Sequence, residues 1–507
     1  MRGWGRDVRT ALQSKRRDLS GVCEPARSQS PHSTDAVRSK RTVERPDSKT
    51  GFREGGQEGG DVTTRSQQQS ADSADKAMQG AEAPARKRPT TGVEAGVWTE
   101  RMLSALGNGV KGGKWFSLMD KVYAPKTLAL AWAKVRDNKG AAGVDGQSVE
   151  RFAAKQDEYL AELSATLKDA TYHPQAVKRV DIPKGDGKLR PLGIPVVKDR
   201  VVQQAVRLVI EPIFEHMFRE GSYGFRPGRG CHNALREVDR LLKEGYTHVV
   251  DADLQAYFDT IPHDKLMARV EEKISDGRIL DLIRGWLTAD ILKGTESWTP
   301  TQGSPQGAVI SPLLANIYLH PLDVFMAERG YHMVRYADDF VILCQTREDA
   351  DQALDLVAQW VSCNGLTLHP SKTHVGDCLQ SGQGFEFLGY RFEAGQRNVR
   401  KKSLDKLKDT IREKTKRTRG DSLAFIVVDL NRTLRGWFGY FKYARPRIFS
   451  GLDKWIRRRV RAILRKQDKR PGRGRSVADH QRWPNAYFAD AGLFALHTAW
   501  QTARQSR

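Results

Sequence analysis

Two adjacent aspartates, Asp338 and Asp339, lie within Met333-Val-Arg-Tyr-Ala-Asp-Asp-Phe-Val-Ile-Leu343, between apolar flanks that read as strands. A carboxylate in such surroundings is costly unless it is paired or bound to a metal. A strand that enters a tight turn and leaves as a second strand would present both acids at its tip. Neighbouring side chains alternate across a strand, so one acid faces a shared site and the other flanks it. A third acid is needed to hold a divalent ion. Thr247-His-Val-Val-Asp-Ala-Asp253 is a β-rich run ending in acids, and its spacing leaves Asp251 and Asp253, two apart on one face, as alternatives. Two divalent ions about 4 Å apart activate an attacking hydroxyl and stabilise a leaving phosphate oxygen. Magnesium suits such a site, because it takes a few carboxylates and completes its shell with substrate phosphates.

The rest of the chain must supply a scaffold and a polyanionic substrate. Its 507 residues suffice for two or more domains. Lys and Arg total 84 against 61 Asp and Glu, a net charge of +23. That excess points to nucleic acid as partner. It is concentrated between Arg400 and Arg475, with 26 Lys and Arg against 7 Asp and Glu, interleaved with Trp437, Phe438, Tyr440, Phe441, Tyr443 and Trp455. Basic groups engage phosphates, while the rings either stack on bases or fill a core. Five scattered cysteines without a C-x-x-C pair suggest neither a zinc module nor a disulfide framework. No apolar run is long enough for a membrane span, and the N-terminus has no apolar segment of a secretory signal.

Residues 1–95, dominated by Ser, Gln, Gly, Arg and Asp, are expected to be disordered. The pattern then predicts a helix through Leu128–Trp132 that stops at Asn138-Lys-Gly140. Strands should run through Val177–Pro195 around Lys184-Gly-Asp-Gly187, and helices through Val201–Phe218 and Leu354–Cys363. A strand pair is expected over Phe385–Phe392, and basic helices from about residue 400.

Tyr336-Ala-Asp-Asp339 resembles the YxDD hairpin of reverse transcriptases, and other segments match in family order. Asp253-Leu-Gln-Ala-Tyr-Phe-Asp-Thr-Ile261 resembles their first palm motif, and Ser304-Pro-Gln-Gly307 the motif before the hairpin. Leu368-His-Pro-Ser-Lys-Thr373 and Phe387-Leu-Gly-Tyr390 resemble the two that follow it. Ile182–Pro195 and Ser222-Tyr-Gly-Phe-Arg-Pro-Gly-Arg-Gly230 resemble motifs upstream. Asn138-Lys-Gly-Ala-Ala-Gly-Val-Asp-Gly146 is similar to the N-terminal extension of group II intron proteins. Leu434-Arg-Gly-Trp-Phe-Gly-Tyr-Phe441 is similar to their maturase segment, domain X. The resemblance spans roughly residues 115–500. The chain ends at Arg507 without paired cysteines, which looks like the endonuclease-lacking bacterial type.

That resemblance implies an α+β right-hand polymerase fold: an antiparallel-sheet palm, fingers, and a helical thumb formed by domain X. The implied segments are a disordered 1–95, an N-terminal extension at 96–146, and fingers and palm at 147–398. Thumb and domain X follow at 399–475, and a C-terminal segment at 476–507. It implies an RNA-directed DNA polymerase, a nucleotidyltransferase that also assists splicing and mobility of its intron. Asp253 then becomes the first metal-binding acid, with Asp338 the second and Asp339 flanking, all three grouped as catalytic and metal-binding. Two Mg²⁺ are implied, with Mn²⁺ as substitute. Phe258, five residues after Asp253, would guard the sugar 2′ position. Lys184 and Arg190 would grip the dNTP triphosphate, with Lys188 able to replace Lys184. Gln306 would lie near the templating nucleotide and Lys372 near the leaving group. Arg226 would contact template or a loop carbonyl. Arg457, Arg458 and Arg459 would contact RNA. The implied partners are group II intron RNA, an RNA template with its DNA primer, dNTPs and target DNA, with no membrane and dimerisation left open. The implied setting is a cytoplasmic, nucleoid-associated bacterial ribonucleoprotein. A splicing-only RNA-binding protein and a domesticated enzyme of DNA repair or defence are the competing readings.

Overall fold

The computed structural model describes residues 94 and 96–505, apart from residues 111, 184–186 and 188. The expected disorder over residues 1–95 therefore falls outside the described residues, Glu94 excepted.

Three sheets organise the described residues. The first has the order β2-β1-β4-β5, from β1 (Val177–Pro183), β2 (Leu189–Ile194), β4 (Ile291–Lys293) and β5 (Glu296–Trp298). β1 and β2 form the expected antiparallel hairpin, with Ile182 opposite Arg190. β1 also pairs in parallel with β4. The central sheet has the order β6-β7-β3-β8, from β3 (His248–Asp253), β6 (His332–Tyr336), β7 (Asp339–Cys344) and β8 (His374–Asp377), and every pairing in it is antiparallel. The third joins β9 (Phe385–Phe387), β10 (Tyr390–Glu393) and β11 (Gln396–Val399). The sequence pattern pointed to β9 and β10 but not to β11, whose Gln-Arg-Asn-Val carries no apolar alternation.

The central sheet separates two hydrophobic cores. Val250, Ala252, Phe340 and Ile342 point into the first. That core also holds the apolar side chains of the helix Val197–Glu215, against which Pro125–Asn138 packs. Val249, Val334, Val341 and Leu343 point into the second, with Phe385, Tyr390, Leu430 and Phe438. Strand periodicity thereby places Tyr336, Asp339, Asp251 and Asp253 on the face of the second core, at the end of the sheet where that core gives out.

Beyond residue 400 the chain is helical, as Lys401–Lys414, Leu423–Phe441, Arg447–Gln467 and Leu496–Gln505. Ser422 caps the second of these by accepting from the Phe425 amide. Phe438, Phe441 and Phe449 are buried among Ile411, Leu434 and Ile456. Several of the rings interleaved with basic residues thus fill a core. The mixed helices and antiparallel central sheet constitute the expected α+β class.

Candidate active site

Tyr336 pairs with Asp339, so Ala337 and Asp338 form a two-residue hairpin turn. Ala337 has φ +60°. Hairpin turns of this length require a positive φ at their first central residue, where glycine is usual. Arg335 holds the strained turn from beneath. It is fully buried and donates to the Asp323 carboxylate (Nε–Oδ1 2.8 Å), to Asn316 Oδ1 (2.9 Å) and to the Ala337 carbonyl (2.9 Å). Sequence reasoning assigned Arg335 no role. The signal was present, since an arginine follows Met333 and Val334 on an otherwise apolar strand.

A loop clamps the open edge of β6. The Tyr223 amide donates to the Arg335 carbonyl (2.8 Å), and the Arg335 amide donates to that of Gly221 (2.8 Å). Gly224 passes so close that a Cβ there would lie 2.2 Å from the Ala337 nitrogen. Only glycine allows this approach. The same loop contains Arg226, for which a template contact was one of two expectations. The structure corrects that reading. Arg226 is buried and commits its guanidinium to the Glu215 carboxylate (Nη2–Oε1 2.8 Å) and to the carbonyls of Arg219 (2.6 Å), Ser222 (2.6 Å) and Phe218 (3.4 Å).

The carboxylates sit at the sheet end. Asp253 lies opposite Asp339 in the β3–β7 register. Burial first, and then the charge of Asp253, push the Asp338 carboxyl up, with Arg190 and Arg335 pulling the other way. Asp339 is pushed up to about 8 by burial, then by Asp251, Asp338 and Asp253, with Arg400 opposing. Asp251 is raised to about 6, chiefly by burial, and accepts from the Glu386 amide (3.4 Å). In Asp251, Asp338 and Asp339 the charge of neighbouring acids thus adds to burial in disfavouring ionisation.

Their nearest answering charge is Lys372, whose Nζ lies 3.0 Å from Asp253 Oδ2. Backbone pairing puts it there, because the His369 amide donates to the Asp253 carbonyl (2.8 Å) and the Gln255 amide to that of Thr367 (2.8 Å). Among the described residues, no group of three or more His, Cys, Asp or Glu side chains converges on one metal position. Of the three acids expected to act together, Asp253 is engaged by Lys372 and Asp339 is buried beside Asp251. Asp253 and Asp338, close enough for one to raise the other's pKa, would suit a divalent ion that keeps coordination positions for phosphate oxygens.

The remaining candidates border this cluster from the β1–β2 side. Arg190 on β2 lies near enough to Asp338 to lower its pKa. Lys184 and Lys188 lie outside the described residues. Phe258 follows β3 on the short helix Tyr257–Thr260 and is half-buried beside the Tyr257 ring (5.4 Å between centroids). Its carbonyl accepts from the Ser304 amide (2.7 Å), which docks the Ser304–Gly307 loop against it. The Gly193 amide on β2 donates to the Gln306 carbonyl (2.6 Å), and a Cβ on Gly307 would lie 2.4 Å from the Gly193 carbonyl oxygen. β2, Phe258 and Gln306 therefore meet beside the acids.

The arginine cluster lies on the helix Arg447–Gln467. Arg459 donates to Thr415 Oγ1 (2.6 Å) and to the carbonyls of Arg412 (3.2 Å) and Thr415 (3.3 Å), with its guanidinium 5.4 Å from the Trp455 ring centre. Arg459, expected to contact RNA, is thus engaged in part by the protein's own groups. Arg457 and Arg458 are half-buried and have no such bonds among the described residues.

Residues 182–392 match the reverse transcriptase (RNA-dependent DNA polymerase) family, and residues 404–483 match the group II intron, maturase-specific domain. Protein YkfC of Escherichia coli (strain K12) is 35% identical over 318 residues, covering 54% of this chain and 82% of that protein. The chain belongs to the group II intron reverse transcriptase/maturase family. The intron-encoded protein LtrA of Lactococcus lactis is 39% identical over 207 residues, covering 40% of this chain and 34% of LtrA. A putative COX1/OXI3 intron 2 protein of Saccharomyces cerevisiae is 25% identical over 402 residues, covering 67% of this chain and 46% of that protein. The chain thus spans about a third to a half of these two intron proteins. Family membership brings a general dependence on divalent metal and places intron RNA among the partners of this reverse transcriptase/maturase. Among the described residues no helix is long and apolar enough to cross a membrane.

Proposed function

We propose that this reverse transcriptase/maturase extends a DNA primer on an RNA template and binds its group II intron RNA to assist splicing and mobility. The observation that carries the reading is the acid cluster at the sheet end, bordered by Arg190, Phe258 and Gln306 and answered mainly by Lys372. Asp253 and Asp338 would hold Mg²⁺, or Mn²⁺ in its place, which when bound activates the primer 3′-hydroxyl and neutralises charge on the leaving pyrophosphate.

Lys372, which pairs with Asp253 here, would offer its ammonium to the leaving phosphates. Arg190, with Lys184, would bind the dNTP triphosphate. The Phe258 ring would fill the space that a ribose 2′-hydroxyl needs. Gln306 would bear on the templating nucleotide. Asp339 would tune the site from beneath. Arg457 and Arg458 would meet RNA phosphates. Target DNA as a partner, dimerisation and a bacterial cytoplasmic location belong to the same proposal.

Primer extension on poly(A) with oligo(dT) tests it. Asp338→Ala should lose on the order of 10³-fold or more in dTTP incorporation while intron RNA binding is kept. Equal incorporation by the two proteins would sink the polymerase reading. Phe258→Ala should raise ribonucleotide use by roughly 100-fold. Unchanged discrimination would remove Phe258 from the sugar site.

A further inference from the structure

One residue beside the catalytic hairpin combines backbone strain with an exposed ring. Phe225 has φ +59°, in the left-handed region that an aromatic side chain rarely adopts. It is also 37% exposed, although large apolar side chains are normally covered. Its neighbours leave its backbone no freedom. Before it, Gly224 lies against Tyr336 and Ala337, and the Gly224 carbonyl accepts from Asn316 Nδ2 (2.8 Å). After it, Arg226 is tied to Glu215 and to three carbonyls. Asn316 also accepts from Arg335, so one buried network holds both the catalytic turn and the backbone at Phe225.

A glycine or an asparagine would satisfy that backbone more easily. The phenylalanine keeps its ring facing outward, 6.5 Å from the Tyr336 ring. Tyr336 in turn occupies the same face of the sheet as Asp253 and Asp339. Strain that buried anchors impose from both sides, at the border of a reaction centre, is a mark of a functional contact. An exposed ring rigidly fixed there is suited to stack on a flat apolar surface, and in a nucleic-acid polymerase that surface is a nucleobase.

We propose that Phe225 is a positioning residue that stacks on a nucleobase at the primer–template junction and aligns the primer end with the carboxylates. This rests on the polymerase reading above. The loop runs along the free edge of β6, while β2, Phe258 and Gln306 gather at the end of β3, two strands away. The base is therefore expected to be the primer terminus rather than the templating base.

The test uses the full chain and a DNA primer annealed to an RNA template, with 2-aminopurine either at the primer terminus or at the templating position. Phe225→Gly removes the ring and relieves the left-handed strain together. Its thermal midpoint should equal or exceed that of the wild type. Affinity for the primer–template, measured by anisotropy without dNTP, should fall about tenfold, the size of one base–aromatic stack. Quenching of 2-aminopurine at the primer terminus should be lost in Phe225→Gly and restored in Phe225→Trp but not in Phe225→Leu. Quenching lost only at the templating position would move the contact to the other strand. Unchanged affinity and quenching in Phe225→Gly would overturn the stacking role, as would full recovery by Phe225→Leu. A wild type that extends primers normally keeps the polymerase reading intact in those cases. Failure of the wild type to extend any primer would instead remove the reading itself.

Discussion

Two clusters of like charge among the described residues are treated differently by the fold. At the end of the central sheet, Asp251, Asp253, Asp338 and Asp339 crowd together, and burial and mutual repulsion raise three of the four carboxyl groups. On the helix Arg447–Gln467, Arg457, Arg458, Arg459 and Arg461 crowd as closely in sequence. Two of these are answered from within. Arg459 reaches Thr415, and the buried Arg461 donates to the Trp483 carbonyl (2.8 Å) and to Asn485 Oδ1 (3.0 Å). Charges that the fold satisfies with its own groups act as struts. Charges left unsatisfied at some cost await an ion or a substrate. On the function proposed above, the acids would be the reaction centre, and Arg457 and Arg458 would be the part of the arginine run left for RNA.

The strongest way to break this distinction is to remove a charge that the fold does satisfy beside the acids. Arg335 lies under the same hairpin, fully buried and paired with Asp323. Arg335→Met strands Asp323 in the core and frees the Ala337 carbonyl. Breaking one side of a buried pair typically costs about 3–5 kcal/mol. The variant should therefore unfold at clearly lower denaturant, and a second change, Asp323→Leu, should recover part of the loss. A variant as stable as the wild type would show that the pair is dispensable and that charge satisfaction does not separate struts from sites here.

A smaller effect is expected on the arginine helix. Arg459→Gln should cost about 1–3 kcal/mol, because Thr415 and two carbonyls lose their donor. It should change RNA affinity little at constant folding. Arg457→Gln and Arg458→Gln should do the reverse: stability within about 0.5 kcal/mol of wild type, and a slope of log affinity against log salt reduced by about one per residue. An equal salt effect from all three positions would erase the distinction within the run.

How far these sites were legible in the sequence follows from the same physics. Acids within an apolar alternation stand out because nothing local explains them, so Asp338 and Asp339 drew notice and the hairpin was placed around them, whereas spacing left Asp253 and Asp251 as alternatives until the family resemblance chose Asp253. The strand and helix segments around them were legible for a related reason, since alternating and 3.6-residue apolar periods survive in one dimension. The fate of an arginine is not local. Arg226 and Arg459 look identical in sequence to arginines that meet phosphates, and only the folded chain brings Glu215 and Thr415 to them. Arg335 was overlooked because its partner, Asp323, lies twelve residues upstream on another element. β11 escaped because its pairing with β10, rather than any apolar period, makes it a strand.

The finest test is one of pH in the metal-free protein. Asp339 stands at about 8 in the folded chain, against 3.8 when unperturbed, and Asp251 at about 6. A raised carboxyl pKa means that the folded state holds its proton more tightly than the unfolded chain. Its stabilising contribution is complete below pH 4 and is lost as pH rises through 8. Stability should therefore fall between pH 6 and 8, by about 1 kcal/mol after allowance for solvent screening and for coupling among the acids. Asp339→Asn cannot lose that proton and should flatten this part of the curve. A saturating divalent ion should flatten it as well, because the ion binds the deprotonated acids and its gain grows with pH. Thermal midpoints at pH 6, 7 and 8, with and without Mg²⁺, measure all three effects. If wild type and Asp339→Asn give parallel curves, the acids are already satisfied by Lys372 and Arg400, and the contrast with the arginine helix disappears.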